Sequence, residues 1–282
     1  MNSSVKLAVR PDAVGVMTVD QPGSKANVLT RELWADLDAA LDEIAKQPMK
    51  GLVIASAKPG IFIAGADLKL LADATGPNDP NVRAFIEQGL RVLEKLESLP
   101  FPTCAAIDGA ALGGGLEVAL ACDIRVLGSH PKIQLGLPEV KLGLIPGWGG
   151  TQRLPRIVGV ERAATMLATG ESLSAAEAIL AGLAFPANGP LPDAAARWVL
   201  KEDVPGLRRF KQEAIPQESR NGFVPLIEPE PVAVREALVA MLRGADRPLA
   251  DAIRIETEAF LYLAGSPESK RLIGEFFASR KK

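Results

Sequence analysis

Ala111-Leu112-Gly113-Gly114-Gly115-Leu116-Glu117 links a predicted buried strand, Thr103–Ile107, to a predicted apolar helix that runs to about Cys122. Three consecutive glycines are unfavourable in chain entropy. They are useful where backbone N–H groups at the positive end of a helix must come close to a ligand. Tight packing of a helix start against a sheet is the alternative interpretation, and it leaves Glu117 unexplained.

Glu117 is the only charged residue between Asp108 and Asp123, and its neighbours in the chain are apolar. A carboxylate in such surroundings is unfavourable unless it is paired or used in chemistry. A salt bridge to an arginine elsewhere in the chain is the alternative. A second isolated acid, Glu139, lies in the irregular apolar stretch Leu137–Gly143. The two carboxylates are therefore candidates for general acid–base catalysis.

Two further segments frame this pair. In Phe62–Asp67 the small residues let a ligand approach the backbone and leave the Ala66 N–H free to donate, although a Gly/Ala turn alone is weak evidence. Pro146–Pro155 is a glycine-rich loop that enters a helix. It lacks the Gly-Lys-Ser/Thr of a phosphate-binding loop, and the absence of G-x-G-x-x-G anywhere in the chain disfavours a Rossmann dinucleotide site. Two carboxylates and two N–H donors suit thioester chemistry, in which a carbonyl oxygen gains negative charge.

Composition limits the class of protein. The 282 residues carry a net charge of −2, with scattered basic residues, so we expect no nucleic-acid partner. The single histidine, His130, excludes a histidine-rich metal site and limits any Ser-His-Asp triad to that residue, so no metal is expected. The most apolar stretch, Ala105–Ala121, contains Asp108, Glu117 and four glycines, and does not predict a membrane span.

The expected compartment is the cytoplasm. Cys104 and Cys122 lie in apolar stretches, which is typical of reduced, buried cysteines in an intracellular protein. The N-terminal residues lack the apolar core of a signal peptide, because charged side chains interrupt them.

The hydrophobic pattern predicts an α/β fold with two parts. Strands and helices alternate in the first half, and after about Phe185 helices alternate with loops rich in Pro, Gly and Glu. We therefore predict a core domain over residues 1–190 and a C-terminal helical region over residues 191–282. Helices are expected in the second part at Pro205–Ile215, Pro231–Gly244 and Pro248–Ala264, and from Ser266 onward.

Four motifs in this order resemble those of the crotonase, or enoyl-CoA hydratase/isomerase, superfamily. They are Ile63–Asp67, Ala111–Glu117, Leu137–Glu139 and Gly149–Pro155. The resemblance covers roughly residues 5–185 and implies a spiral of ββα turns followed by C-terminal helices. The tail Ser266–Arg280 and the spacing of the two glutamates look like the hydratase domain of multifunctional fatty-acid oxidation α-subunits. The chain resembles a stand-alone version of that domain.

The resemblance also implies residue roles. Ala66 and Gly114 would supply the N–H groups of an oxyanion hole, Glu117 would hold and activate a water, and Glu139 would deliver a proton to the α-carbon. Coenzyme A is part of the acyl-CoA thioester substrate, so no separate cofactor is expected. The positions implied in binding it, largely through the backbone, are Lys25, Ala26, Ala64, Asp67, Leu68 and Lys69.

The implied activity is an enoyl-CoA hydratase that adds water to trans-2-enoyl-CoA in fatty-acid β-oxidation. A 3,2-enoyl-CoA isomerase, which needs only a proton shuttle, is one alternative. A non-catalytic acyl-CoA-binding partner of a separate dehydrogenase or thiolase is the other. The family implies a homo-oligomer, a trimer or a dimer of trimers, although a linker-like tail can replace a neighbour's contact. Trp148 departs from the smaller residues often found in its loop and is expected to shorten or reshape the acyl tunnel.

Overall fold

The computed structural model describes residues 3–201, 208, 212–219 and 231–280. The helix predicted over Pro205–Ile215 lies mostly outside the described residues. The strands, in chain order, are β1 (Val5–Val9), β2 (Val14–Val19), β3 (Gly51–Ser56), β4 (Gly60–Ile63), β5 (Thr103–Ile107), β6 (Gly109–Leu112), β7 (Ile124–Leu127), β8 (Gln134–Gly136), β9 (Ser172–Ser174) and β10 (Phe185–Pro186).

The helices alternate with these strands and then continue alone. They are α1 (Arg31–Ala45), α2 (Leu68–Ala72), α3 (Pro80–Glu97), α4 (Gly114–Ala121), α5 (Gly150–Val158), α6 (Val160–Thr169), α7 (Ala175–Leu180), α8 (Leu191–Val199), α9 (Val232–Gly244), α10 (Leu249–Leu263) and α11 (Pro267–Ser279). Short 3₁₀ helices cover Pro138–Leu142 and Gln217–Ser219.

Two sheets form the scaffold. The first has the order β1-β2-β3-β5-β7-β10, and the second has the order β4-β6-β8-β9. In the first sheet β1 and β2 form an antiparallel hairpin, and the remaining pairings are parallel. From β3 onward the chain passes three times from a strand of the first sheet to one of the second and then to helical structure, so these turns are ββα units. The predicted α/β fold is confirmed.

Local capping interactions explain where several helices begin. Thr30 caps α1 by accepting a hydrogen bond from the Leu33 N–H. Ser174 and Glu177 form both hydrogen bonds of a capping box at α7. Ser266 caps α11, with Pro267 in the first turn.

The C-terminal helices pack directly onto the site-bearing part of the core. Helix α9 lies against α5 and α6, α10 lies against α3 and α5, and α11 lies against α2 and the 3₁₀ helix Pro138–Leu142. Helix α8 instead covers β3, β5 and β7. The division into two domains at residue 190 stays a prediction. In the described part of the chain, no helix is long and apolar enough to cross a membrane.

Candidate active site

Three of the four motifs line one cavity of about 440 Å³, and the fourth, Gly149–Pro155, begins directly after the wall residue Trp148. Its walls come from the turn after β4, the start of α4, the 3₁₀ helix Pro138–Leu142, the loop before α5 and the helices α10 and α11. The predicted site residues that line it are Ala26, Ala64, Ala66, Asp67, Leu68, Lys69, Gly114, Glu117 and Glu139. Lys25 is exposed and is not among the lining residues, so its role in binding stays a prediction.

The glycine triplet allows the tight packing that was one of its two interpretations, while the approach of a ligand to its N–H groups stays a prediction. A side chain on Gly115 would overlap the Ile63 carbonyl, so this glycine lets α4 start directly against β4. A Cβ on Gly113, whose φ is +54°, would lie 2.7 Å from Glu139 Oε1, so this glycine leaves room for the carboxylate. Gly114 is the first residue of α4 and lines the cavity. Its N–H belongs to the helix turn that has no partner within the helix.

The Ala66 N–H lies outside the backbone pairing around it. Leu29 and Ala66 form a parallel bridge, and its two bonds run from the Leu29 N–H to Gly65 and from the Asp67 N–H to the Leu29 carbonyl. The neighbouring turns are close, because a Cβ on Gly113 would lie 3.9 Å from Gly65 Cα. Ala66 and Gly114 therefore lie on neighbouring turns of the cavity wall, and their donation to one carbonyl oxygen stays a prediction.

Glu117 lies in the first turn of α4 and is 1% exposed. Its Oε1 accepts hydrogen bonds from the N–H groups of Trp148 (2.7 Å) and Gly150 (2.8 Å). Among the described residues it has no salt bridge to an arginine, which was the alternative explanation of its isolation. Burial raises the pKa of Glu117 to about 7, against the opposing effect of these N–H groups and of the nearby Arg153 charge.

Glu139 lies in the 3₁₀ helix Pro138–Leu142, one residue after the proline that starts it. Its Oε2 is buried and has no hydrogen-bond partner among the described residues. Burial, and next the negative charge of Glu117, raise the pKa of Glu139 well above its ordinary value. Two carboxyl groups with raised pKa values in one cavity are candidates for an acid–base pair.

A third buried carboxylate was missed by sequence reasoning. Glu256 on α10 is fully buried, and its two oxygens accept hydrogen bonds from the loop Pro146–Thr151, which we call the glycine loop. Oε1 receives the Gly149 N–H at 2.5 Å, and Oε2 receives the N–H and hydroxyl of Thr151 at 2.7 and 2.6 Å. No local pattern distinguishes Glu256 from the other acids of its helix.

Arg153, also missed, holds the same loop from its carbonyl side. Its Nη1 donates to the Trp148 carbonyl at 2.6 Å. Its Nε and Nη2 donate to the two carboxylate oxygens of Glu97 at 2.9 and 2.7 Å. Such a two-bond pair fixes the guanidinium rigidly. In the described part of the chain, no group of three His, Cys, Asp or Glu residues could hold a metal ion.

Trp148 forms part of the apolar wall of the cavity. Its ring contacts Trp34 and Phe85 edge to face, with centroid distances of 5.1 and 5.2 Å. Its Nε1 donates to the Ile86 carbonyl at 3.1 Å, and a Cβ on Gly114 would lie 2.6 Å from the ring. The indole is therefore held tightly next to the candidate reaction centre.

Comparison with known proteins agrees with this geometry. The sequence model of the enoyl-CoA hydratase/isomerase family matches residues 10–190. The fatty acid oxidation complex subunit alpha of Aliivibrio fischeri is 38% identical over an alignment that covers 95% of this chain and 41% of that protein. The chain thus spans about two fifths of this curated relative.

Solved structures show the same relationship. An enoyl-CoA hydratase from Bacillus anthracis is 30% identical with a TM-score of 0.62, and the match covers 99% of this chain and 97% of that one. An enoyl-CoA hydratase from Mycobacterium avium subsp. paratuberculosis is 24% identical with a TM-score of 0.67, covers 98% and 96%, and supports the fold alone. The chain belongs to the enoyl-CoA hydratase/isomerase family, within the crotonase superfamily.

Proposed function

We propose that the protein is an enoyl-CoA hydratase that converts trans-2-enoyl-CoA to 3-hydroxyacyl-CoA in fatty-acid β-oxidation. One observation carries the proposal: Glu117 and Glu139 line the same cavity as Ala66 and Gly114. A hydratase needs a base for water, an acid for the α-carbon and a site for the thioester oxygen.

The reaction follows from these positions. The N–H groups of Ala66 and Gly114 donate to the thioester oxygen and stabilise the charge of the enolate. Glu117 takes one proton from water as the water oxygen bonds to C3, and the electrons of the double bond move into the enolate. Glu139 then gives its proton to C2, so one water is added to the substrate. The proton held by Glu117 passes back to Glu139 before the next turnover. The roles of base and acid are supported by the interaction between the two groups. The negative charge of Glu117 raises the pKa of Glu139 and favours the protonated form of Glu139.

The coenzyme A portion of the substrate is proposed to follow the wall formed by Ala26, Ala64, Asp67, Leu68 and Lys69. No separate cofactor is required by these steps. A homo-oligomer, a trimer or a dimer of trimers, stays a prediction. Association with a dehydrogenase or thiolase is also a proposal, supported by the fact that the Aliivibrio relative is named as a subunit of a complex.

The direct test is hydration of crotonyl-CoA, followed as loss of the ultraviolet absorbance of the conjugated thioester. We expect turnover of crotonyl-CoA or of longer trans-2-enoyl-CoA substrates in a panel of chain lengths. The absence of hydration at every length would reject the hydratase proposal.

A 3,2-enoyl-CoA isomerase is the second candidate, because the unpartnered Glu139 Oε2 supports a proton shuttle without Glu117. Conversion of a trans-3-enoyl-CoA to its conjugated isomer, without subsequent hydration, would favour it. The non-catalytic alternative requires coenzyme A binding with neither reaction. Two buried carboxyl groups with raised pKa values argue against it, because ligand binding alone does not need them.

Trp148→Ala should widen the acyl end of the cavity and change the chain-length preference. We expect the ratio of kcat/KM for an eight-carbon over a four-carbon enoyl-CoA to rise about tenfold, because a hydrophobic pocket discriminates through the space it offers. The backbone N–H to Glu117 remains in the variant. Loss of the buried indole should also lower stability by about 3 kcal/mol.

The ratio of two substrates in one preparation separates specificity from partial unfolding in this test. Trp148→Phe is the matched control, since it keeps an aromatic ring at the wall and should change the ratio less. An unchanged ratio in Trp148→Ala would mean that the acyl chain leaves the cavity by another wall.

A further inference from the structure

The glycine loop is held between two carboxylates that take alternate N–H groups. Glu117 receives those of Trp148 and Gly150, while Glu256 receives those of Gly149 and Thr151. Gly149 has a φ of +95°, a left-handed conformation that favours glycine. The N–H groups on one side of the loop therefore donate to Glu117, and those on the other side donate to Glu256.

The position of Glu256 is set by the C-terminal helices. It lies in α10, outside residues 10–190 that match the family model. It is fully buried, and both of its oxygens accept hydrogen bonds from the loop. A buried carboxylate is unfavourable unless its hydrogen bonds are satisfied, and here three donors satisfy it.

The charges around Glu256 connect it to the acid–base pair. Glu117 on α4 and Glu139 in the 3₁₀ helix face it with like charge, and Arg153 on α5 faces it with opposite charge. Arg153 is already paired with Glu97 on α3. Burial, and next the charge of Glu117, raise the pKa of Glu256 to about 8. Glu117 and Glu256 thus both interact with Arg153, whose charge is already partly neutralised by Glu97.

We propose that Glu256 is a positioning residue for hydration: it fixes the glycine loop so that the Trp148 and Gly150 N–H groups hold Glu117 in place for the attacking water. This inference rests on the proposed hydratase function. It also assigns α10 a part in the chemistry, because the loop loses one of its two carboxylate anchors without that helix. A displacement of a catalytic group by about 1 Å can reduce turnover about 100-fold.

The test compares Glu256→Gln with wild type and with Glu258→Gln, an exposed position on the same helix. A carboxamide has one acceptor oxygen, so its NH₂ group must face either the Gly149 N–H or the donors of Thr151. We expect Glu256→Gln to lower kcat for crotonyl-CoA about 10- to 100-fold, with KM changed less than about threefold. Glu258→Gln should match the wild type.

The pH profile provides a readout that a purely structural role would not move. With a pKa of about 8, Glu256 is mostly uncharged where Glu117 titrates and becomes charged in the alkaline range, where it raises the pKa of Glu139. The alkaline limb of the kcat/KM profile for Glu256→Gln should therefore move to lower pH, while the acid limb moves less. If kcat/KM of Glu256→Gln were lower than that of the wild type but its pH profile were unshifted, the inference would be overturned.

Thermal unfolding would show whether Glu256→Gln folds. If it does not fold, a second pair of variants tests the same inference. Thr151→Val removes one donor to Glu256 and should lower kcat several-fold, while Thr151→Ser keeps the hydroxyl and should restore it. Wild-type kcat in a folded Glu256→Gln, or in Thr151→Val if the former does not fold, overturns the inference and leaves hydratase function intact. A wild-type protein that hydrates no enoyl-CoA rejects the proposed function, and the inference with it.

Discussion

Glu117→Gln is expected to reduce the hydration of crotonyl-CoA about 10³-fold while leaving conversion of trans-3-enoyl-CoA to its conjugated isomer within about tenfold of wild type. The glutamine cannot accept the proton of the attacking water. Isomerisation moves a proton between two carbons of the substrate, and Glu139 suffices for that transfer in the proposed mechanism. Parallel assays of the two reactions on one preparation would measure the separation.

The substitution should preserve the fold, because the glutamine carbonyl can still accept the Trp148 and Gly150 N–H groups. Glu94→Gln, an exposed position on α3, is the matched control and should leave both activities unchanged. If hydration and isomerisation were lost equally, Glu117 would also have to take part in the proton transfer of isomerisation. Retention of hydration would remove Glu117 from the mechanism.

The sequence indicated residues that share one cavity more clearly than it indicated the strands of the second sheet. Glu117 could be recognised because one charge among apolar neighbours must be either paired or used. Strands such as β3 and β5 are continuous apolar runs bounded by turn residues, so their signal is strong. The strands of the second sheet have three or four residues, and β6 and β8 contain glycine. Such short segments carry too little periodicity to distinguish a strand from a turn.

Glu256 could not be found in the same way. Its helix α10 also contains the acids Asp251 and Glu258, and the helical pattern places polar residues on an exposed face by default. Only the packing of α10 against α5 makes Glu256 a buried acceptor for the glycine loop. Tertiary contacts of this kind have no signature in a single sequence.

Glu139→Gln is expected to reduce both hydration and isomerisation about 10³-fold, because each reaction in the proposed mechanism uses Glu139 to move a proton at the α-carbon. The same variant should be more stable than the wild type at pH 8. Glu139 Oε2 is buried without a hydrogen-bond partner, and the ionised carboxylate is repelled by Glu117. A neutral carboxamide removes that repulsion, so activity and stability should change in opposite directions.

The difference in stability between Glu139→Gln and the wild type is more informative when it is measured as a function of pH than at pH 8 alone. The pKa of Glu139 is raised in the folded state, so between about 4.3, the ordinary value, and its folded pKa the native protein binds more protons than the unfolded chain. The free energy of unfolding of the wild type must then fall as pH rises through that window. Glu139→Gln lacks this contribution, so its advantage in Tm over the wild type should disappear near pH 4 and grow toward pH 8. The difference in Tm between Glu94→Gln and the wild type should not change with pH. If Glu139→Gln retained activity, another group would have to protonate the α-carbon.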